Sequence, residues 1–317
     1  MAKKIQRFFL NIKNFFDGIH IPVLGISLWK MFSIYSDAIF KNPLGRQAAS
    51  ISWSFFLSLF PMILFFLSVL PFMPHYDKLQ FYIFEVLMPN VFPSHMQSDV
   101  TGYIQSSLIP NMKSLSNLTI LLSFIFATNG CFSLINGFNR NTELQRGFVK
   151  EYLLAMLITI CFLTLVCLSI FGIYYSEVVL KLYTPTYDIS WFTKNLSKII
   201  GFISFPLFYF ILLTLFYWIG CIKITRIREA FPGAILTTVL FVVLTYFFAI
   251  YVANIARYNV LYGSIGSIIL VMIWVNVNVF LVLMGNELNL AIKKVKLEKL
   301  VREEMTSGIT ESSPSSS

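Results

Sequence analysis

From Val260 to Asn286 the chain runs 27 residues without a charge, more than the roughly 20 a helix needs to cross a hydrocarbon core of about 30 Å. Trp274, Asn276 and Asn278 stand inside that run and Glu287 closes it. A chain built around such a stretch has the bilayer as its solvent, where every backbone polar group must be satisfied internally. Amides and a carboxylate at that depth must meet partners on other helices or line a wet cavity.

Five further apolar runs accompany it, and the spans are expected at about 47–73, 115–138, 152–175, 199–221, 232–256 and 262–290. The expected fold is all-α: a polytopic membrane protein of six transmembrane helices with amphipathic surface helices. Residues 1–46 form a cytoplasmic amphipathic segment, 47–292 the membrane domain with an extracytoplasmic loop at 76–114, and 293–317 a basic and then Ser-rich disordered tail. With 57% hydrophobic and 12% charged residues, against about a quarter charged in a soluble domain, no part of the chain has the makings of a separate water-facing domain.

The net charge of +9 raises the question of nucleic acid, and the distribution of cations answers it. Of 24 Lys and Arg, 18 fall in the segments that six crossings place on one side. That bias over mostly short loops puts both termini in the cytoplasm and accounts for the charge without nucleic acid. The four cysteines lie in or beside apolar runs and are expected to be buried thiols. The three histidines have no neighbours at metal-ligand spacing, so no metal and no cofactor is expected.

Inside the spans, Asn129, Ser133 and Asn136 recur on one helical face. That stripe is either inter-helix glue or the wall of a cavity. Asn276 and Glu287, eleven residues apart, return to within about 20° of each other, whereas Asn278 points nearly opposite. These five residues, Asn129, Ser133, Asn136, Asn276 and Glu287, are the candidate polar pathway. Glu287 has an equally simple alternative as a solvated helix end or a partner of Arg228 or Lys293. Ser50, Ser54 and Ser58 form a small-residue stripe for close helix packing, interrupted by Pro61. Arg257, Tyr262, Gly263 and Gly266 form a candidate gate or headgroup contact.

The runs Gln47-Ala-Ala-Ser-Ile-Ser-Trp-Ser-Phe-Phe-Leu-Ser-Leu-Phe-Pro61, Phe231-Pro-Gly-Ala234, Tyr262-Gly-Ser-Ile-Gly266 with Trp274, and Gly285-Asn-Glu-Leu-Asn289 resemble the YihY/BrkB family of bacterial inner-membrane proteins over about residues 30–295. The resemblance implies six transmembrane helices in a plasma membrane and an old ribonuclease label regarded as mistaken. Scattered histidines agree with that view, because a metal-dependent nuclease needs clustered histidines and carboxylates to activate water. Two functions are carried forward. One is a transporter or flippase of a lipid or other amphiphile, with membrane lipids as partners and an anionic lipid as candidate substrate. The other is a non-transporting scaffold or regulator of envelope enzymes; the oligomeric state stays open.

Overall fold

The computed structural model describes residues 43–69, 117–140, 142, 144, 146–183, 206–255 and 264–311, with scattered positions between 14 and 36. Side chains are described through 168, 252 and 302 in the third, fifth and sixth helices. The helices are α1 (Leu44–Val69), α2 (Asn117–Asn139), α3 (Phe148–Tyr183), α4 (Pro206–Gly220), α5 (Ile227–Ile255) and α6 (Ser264–Glu311). Two short strands, β1 (His20–Ile21) and β2 (Ile26–Ser27), pair antiparallel ahead of them, with His20 opposite Ser27. The expected loop at 76–114 lies outside the described residues.

Among the described residues five helices, all but α4, are long and apolar enough to cross a membrane. Helix α4 is described over Pro206–Gly220, about 22 Å at ~1.5 Å per residue, and residues 199–205 of the expected fourth span lie outside the description. Its sixth counterpart departs from expectation in the other direction. It does not stop at 290 but continues to Glu311 as one helix of 48 residues, about 72 Å long. The segment after Leu290 holds Lys, Leu, Glu, Val and Arg with no proline and no glycine before Gly308. Good helix formers therefore carry the helix from the expected span through the basic run and into the Ser-rich stretch from Thr306 that was expected to be disordered.

Helix α1 packs on α2 and α6, α5 packs on α6, and α2 packs on α3. The core runs through Ala48 and Ile51 of α1, Leu134, Ile135 and Phe138 of α2, Phe216 and Tyr217 of α4, and Val279 and Leu283 of α6. The outward faces are as apolar as the core: Trp53, Leu57, Phe60 and Ile63 on α1, and Val239, Val243, Tyr246 and Phe247 on α5, are all exposed. Apolar surface of that extent would aggregate in water, whereas facing acyl chains it is the ordinary outer wall of a membrane bundle. Every lysine and arginine whose side chain is described lies at one end of the bundle or on the stretch of α6 beyond it.

Candidate functional site

The most tightly built part of the molecule joins the start of α5 to the last membrane turns of α6. Pro232, in the second turn of α5, brings no N–H to the ladder and crowds the preceding turn. Next to it, Gly233 lies against Gly285 so closely that a methyl group at Gly233 would fall on the Gly285 carbonyl oxygen. A methyl at Gly285 would fall on the hydroxyls of Thr237 and Tyr217. Only glycine leaves room for this crossing, as in small-residue contacts between membrane helices generally. Asn289 then clamps the two helices: its Oδ1 accepts from the Gly233 N–H at 2.6 Å and its Nδ2 donates to the Ala230 carbonyl at 3.2 Å.

Tyr217 ties α4 into the same joint. Its hydroxyl donates to the Val282 carbonyl at 2.9 Å and lies 2.9 Å from Thr237 Oγ1. The Thr237 hydroxyl in turn stands 3.3 Å from the Leu281 carbonyl. Tyr217 and Thr237 are both fully buried, so each polar atom here needs its partner. The two sequence stretches Phe231–Ala234 and Gly285–Asn289, separated by half a hundred residues of chain, are thus the two halves of one contact.

Four buried oxygens near this joint and along the same helices behave differently. Thr214 Oγ1 on α4, Thr238 Oγ1 on α5, and Asn278 Oδ1 and Asn286 Oδ1 on α6 have no hydrogen-bond partner among the described residues. Asn286 is 2% exposed, and Asn278 uses its Nδ2 on the Trp274 carbonyl at 2.7 Å.

A polar belt closes the basic end. Asn139 donates to the Gly220 carbonyl at 2.8 Å and accepts from the Ile222 N–H at 2.9 Å, while Arg146 donates to the Ile219 carbonyl at 2.9 Å. These bonds satisfy carbonyls that the end of α4 leaves open. Lys293 pairs with Glu229 at 2.8 Å and donates to the Lys223 carbonyl at 2.6 Å. Gln47 of α1 donates to the Gly137 carbonyl of α2 at 2.5 Å.

The residues singled out from the sequence are distributed over several surfaces. Asn129 and Asn136 are exposed on α2 and Ser133 is half-buried; Asn129 accepts a 3.4 Å bond from the Tyr152 hydroxyl of α3. Asn276 donates instead across to Ser52 of α1 at 3.4 Å. Glu287, half-buried, faces Tyr35 in the segment before α1. Burial, and secondarily the Glu287 carboxylate, push the Tyr35 phenol up to about 12, and its hydroxyl donates to the Met284 carbonyl at 3.3 Å. The described structure therefore does not bring the α2 stripe together with Asn276 and Glu287. Gly266 is buried near the start of α6, whereas Arg257, Tyr262 and Gly263 lie outside the described residues.

Of the serine stripe, Ser50 is exposed, Ser54 half-buried and Ser58 buried, with Ser58 lying against Gly130 of α2. Pro61 is half-buried within α1. Cys131 and Cys221 are buried, while Cys161 and Cys167 are only half-buried. Sequence reasoning missed Tyr217, Thr237 and Arg146 altogether. Asn286 and Asn289 were visible only as members of a motif.

Where α2 ends and α3 begins, a cleft of about 480 Å³ opens at the basic end, lined by Asn136, Arg140, Arg146 and Glu151 and walled by Phe132 and Phe148. The two rings meet edge to face at 5.4 Å, and Phe148 stacks on Tyr152 at 6.0 Å. The Tyr152 hydroxyl, which donates to the Ile125 carbonyl at 2.9 Å, fixes that stack to α2.

A bundle whose outer faces are apolar, and whose buried hydroxyls and amides turn to their own helix or bridge to the next, is a polytopic α-helical membrane protein. Its particular family follows from comparison with known proteins: the chain belongs to the virulence factor BrkB family, which it matches over residues 40–307. It is 25% identical over 252 residues to the putative ribonuclease-like protein YfkH of Bacillus subtilis (strain 168), covering 79% of this chain and 90% of that one. It is 24% identical over 280 residues to the UPF0761 membrane protein NT05HA_1801 of Aggregatibacter aphrophilus (strain NJ8700), covering 87% of this chain and 97% of that one. To the UPF0761 membrane protein NTHI0384 of Haemophilus influenzae (strain 86-028NP) it is 25% identical over 282 residues, covering 88% of this chain and 95% of that one. No solved structure matches the chain.

Proposed function

We propose that this protein moves a lipid or another amphiphile across a bacterial plasma membrane, with both termini in the cytoplasm and the basic end at the inner leaflet. The observation that carries this reading is the set of orphaned oxygens on Thr214, Thr238, Asn278 and Asn286. In a bilayer an unsatisfied polar group costs several kcal/mol, and a bundle that merely filled space would have apolar side chains there. A passing headgroup supplies the donors those oxygens lack, while Asn276 and Glu287 stand on another side of α6, toward Ser52 and Tyr35. The distribution of lysine and arginine supports the orientation. The reading is non-enzymatic, and membrane lipids are the partners.

The test is reconstitution into vesicles carrying a fluorescent phospholipid whose outer-leaflet fraction is quenched from outside. Wild-type protein is expected to equilibrate the label between leaflets. Asn278→Leu and Asn286→Leu are expected to slow it about tenfold or more, a loss of about 1.4 kcal/mol of transition-state stabilisation. Unchanged rates in both folded variants, or no movement of anionic and zwitterionic lipids by the wild type, would falsify the proposal.

A second reading, a non-transporting scaffold for envelope enzymes, draws on the length of α6. Past Val295, its last buried residue among those described, it continues 16 residues as helix, about 24 Å, with Leu297, Leu300 and Val301 exposed. On that reading partner recruitment depends on residues 293–311 and not on the interior oxygens.

A further inference from the structure

We infer that the cleft between α2 and α3 is a binding site for an anionic glycerophospholipid, its phosphate held by Arg140 and Arg146 and its headgroup hydroxyls by Asn136 and Glu151. This site is distinct from the α4–α5–α6 interior and does not depend on transport. Its volume of about 480 Å³ falls in the range of small-molecule sites, about 300–1,000 Å³, and accommodates a phosphoglycerol head.

Arg146 is held in place, because one of its guanidinium nitrogens is bonded to the Ile219 carbonyl at 2.9 Å. The other donors of that planar fork remain for an acceptor. Arg140, exposed at the end of α2, supplies the second fork. Guanidinium groups bind phosphate oxygens in pairs, through short charge-assisted bonds. The C-terminus of α2 and the N-terminus of α3 meet here with opposite dipole ends, so the helix ends nearly offset each other and the guanidiniums set the sign.

The charged residues that line the cleft are Arg140 and Arg146 against Glu151, a balance of +1. That matches one phosphodiester charge. Glu151 would repel a second anionic group but accepts hydroxyl protons, and the Asn136 amide can donate or accept, so a neutral polyol head fits the lining better than a phosphomonoester. The aromatic wall at Phe132 leads along α2 to exposed Phe126, Leu122 and Leu118, a stripe that lies with Asn136 at helical spacing on one side of that helix. Acyl chains lie along that stripe while the headgroup occupies the cleft.

The measurement is lipid retention by native mass spectrometry of the full chain, offered phosphatidylglycerol or phosphatidylcholine with identical acyl chains. Wild-type protein is expected to hold phosphatidylglycerol about tenfold more tightly than phosphatidylcholine, the worth of a charged hydrogen bond. Arg140→Ala should remove that preference and Asn136→Ala should reduce it, each with an unchanged melting temperature, since both side chains are exposed and surface changes are usually near neutral. Arg140→Lys, which keeps the charge but loses the fork, should restore it only in part. Equal retention of the two lipids by wild type, or a preference that survives both alanine variants, overturns the assignment. So does full displacement of the lipid by inorganic phosphate at buffer concentration, which would make the cleft a free-phosphate site.

Discussion

The joint of α4, α5 and α6 and the outer face of α2 and α3 use the same side chains to opposite ends. Asn289 is 1% exposed and both ends of its amide are bonded to α5, whereas Asn136 stands exposed at the rim of a basic cleft. What separates them is the neighbour. Gly233 and Gly285 let two backbones approach until an amide can bridge them, while α2 presents Asn129 and Asn136 exposed. An asparagine in an apolar run thus becomes structural glue where small residues admit a partner helix, and a contact for solvent or ligand where bulky residues hold the partner off.

The sharpest way to break the contrast is to push the joint apart. Gly285→Val would drive a branched side chain into Tyr217, Thr237 and the Gly233 carbonyl. The cost of overpacking is about 1–3 kcal/mol, and more when backbone must move, so we expect loss of a monodisperse species or a fall in melting temperature of many degrees. Gly45→Ala, where nothing stands within 4 Å, is the matched control and should leave stability unchanged or slightly higher.

A smaller effect separates geometry from chemistry. Tyr217→Phe keeps the ring that tilts against Phe138 at 5.5 Å and removes only the hydroxyl bonded to Val282 and Thr237. Hydrogen bonds between membrane helices average about 0.6 kcal/mol and reach about 1.7. Thermal unfolding in detergent should show a modest decrease in that range, partly recovered by adding Thr237→Val, which removes the stranded partner.

Much of the architecture was legible in the chain because the bilayer enforces it: long uncharged runs become helices, and lysine and arginine collect at one end. The motifs Phe231–Ala234 and Gly285–Asn289 were also visible, but not that they touch, since nothing in local sequence pairs two turns so far apart. The serine stripe shows the limit of spacing arguments. A step of four residues gains about 40° on a helix of 3.6 residues per turn, so by Ser58 the stripe has turned from the lipid face, where Ser50 sits, onto Gly130. Likewise Asn129, Ser133 and Asn136 do share a side of α2, yet periodicity carries no information on which side meets α6. Tyr217 left no signal, being one of 15 tyrosines in a chain rich in aromatics. The continuation of α6 past the basic run was hidden because a Ser-rich tail cannot bury enough to fold alone, whereas a helix already nucleated in the bundle needs only propagation.

The most direct measurement makes one chemical change in both regions. Asn289→Leu and Asn136→Leu are compared by thermal or denaturant unfolding of the purified full chain. Removing the Asn289 amide deletes both of its bonds to buried α5 backbone and sets a branched apolar side chain against Gly233, so that variant should lose about 1–3 kcal/mol. Asn136→Leu should change stability by less than about 0.5 kcal/mol. Equal losses at the two positions, or a larger loss at Asn136, would contradict the division between a bonded joint and an open face.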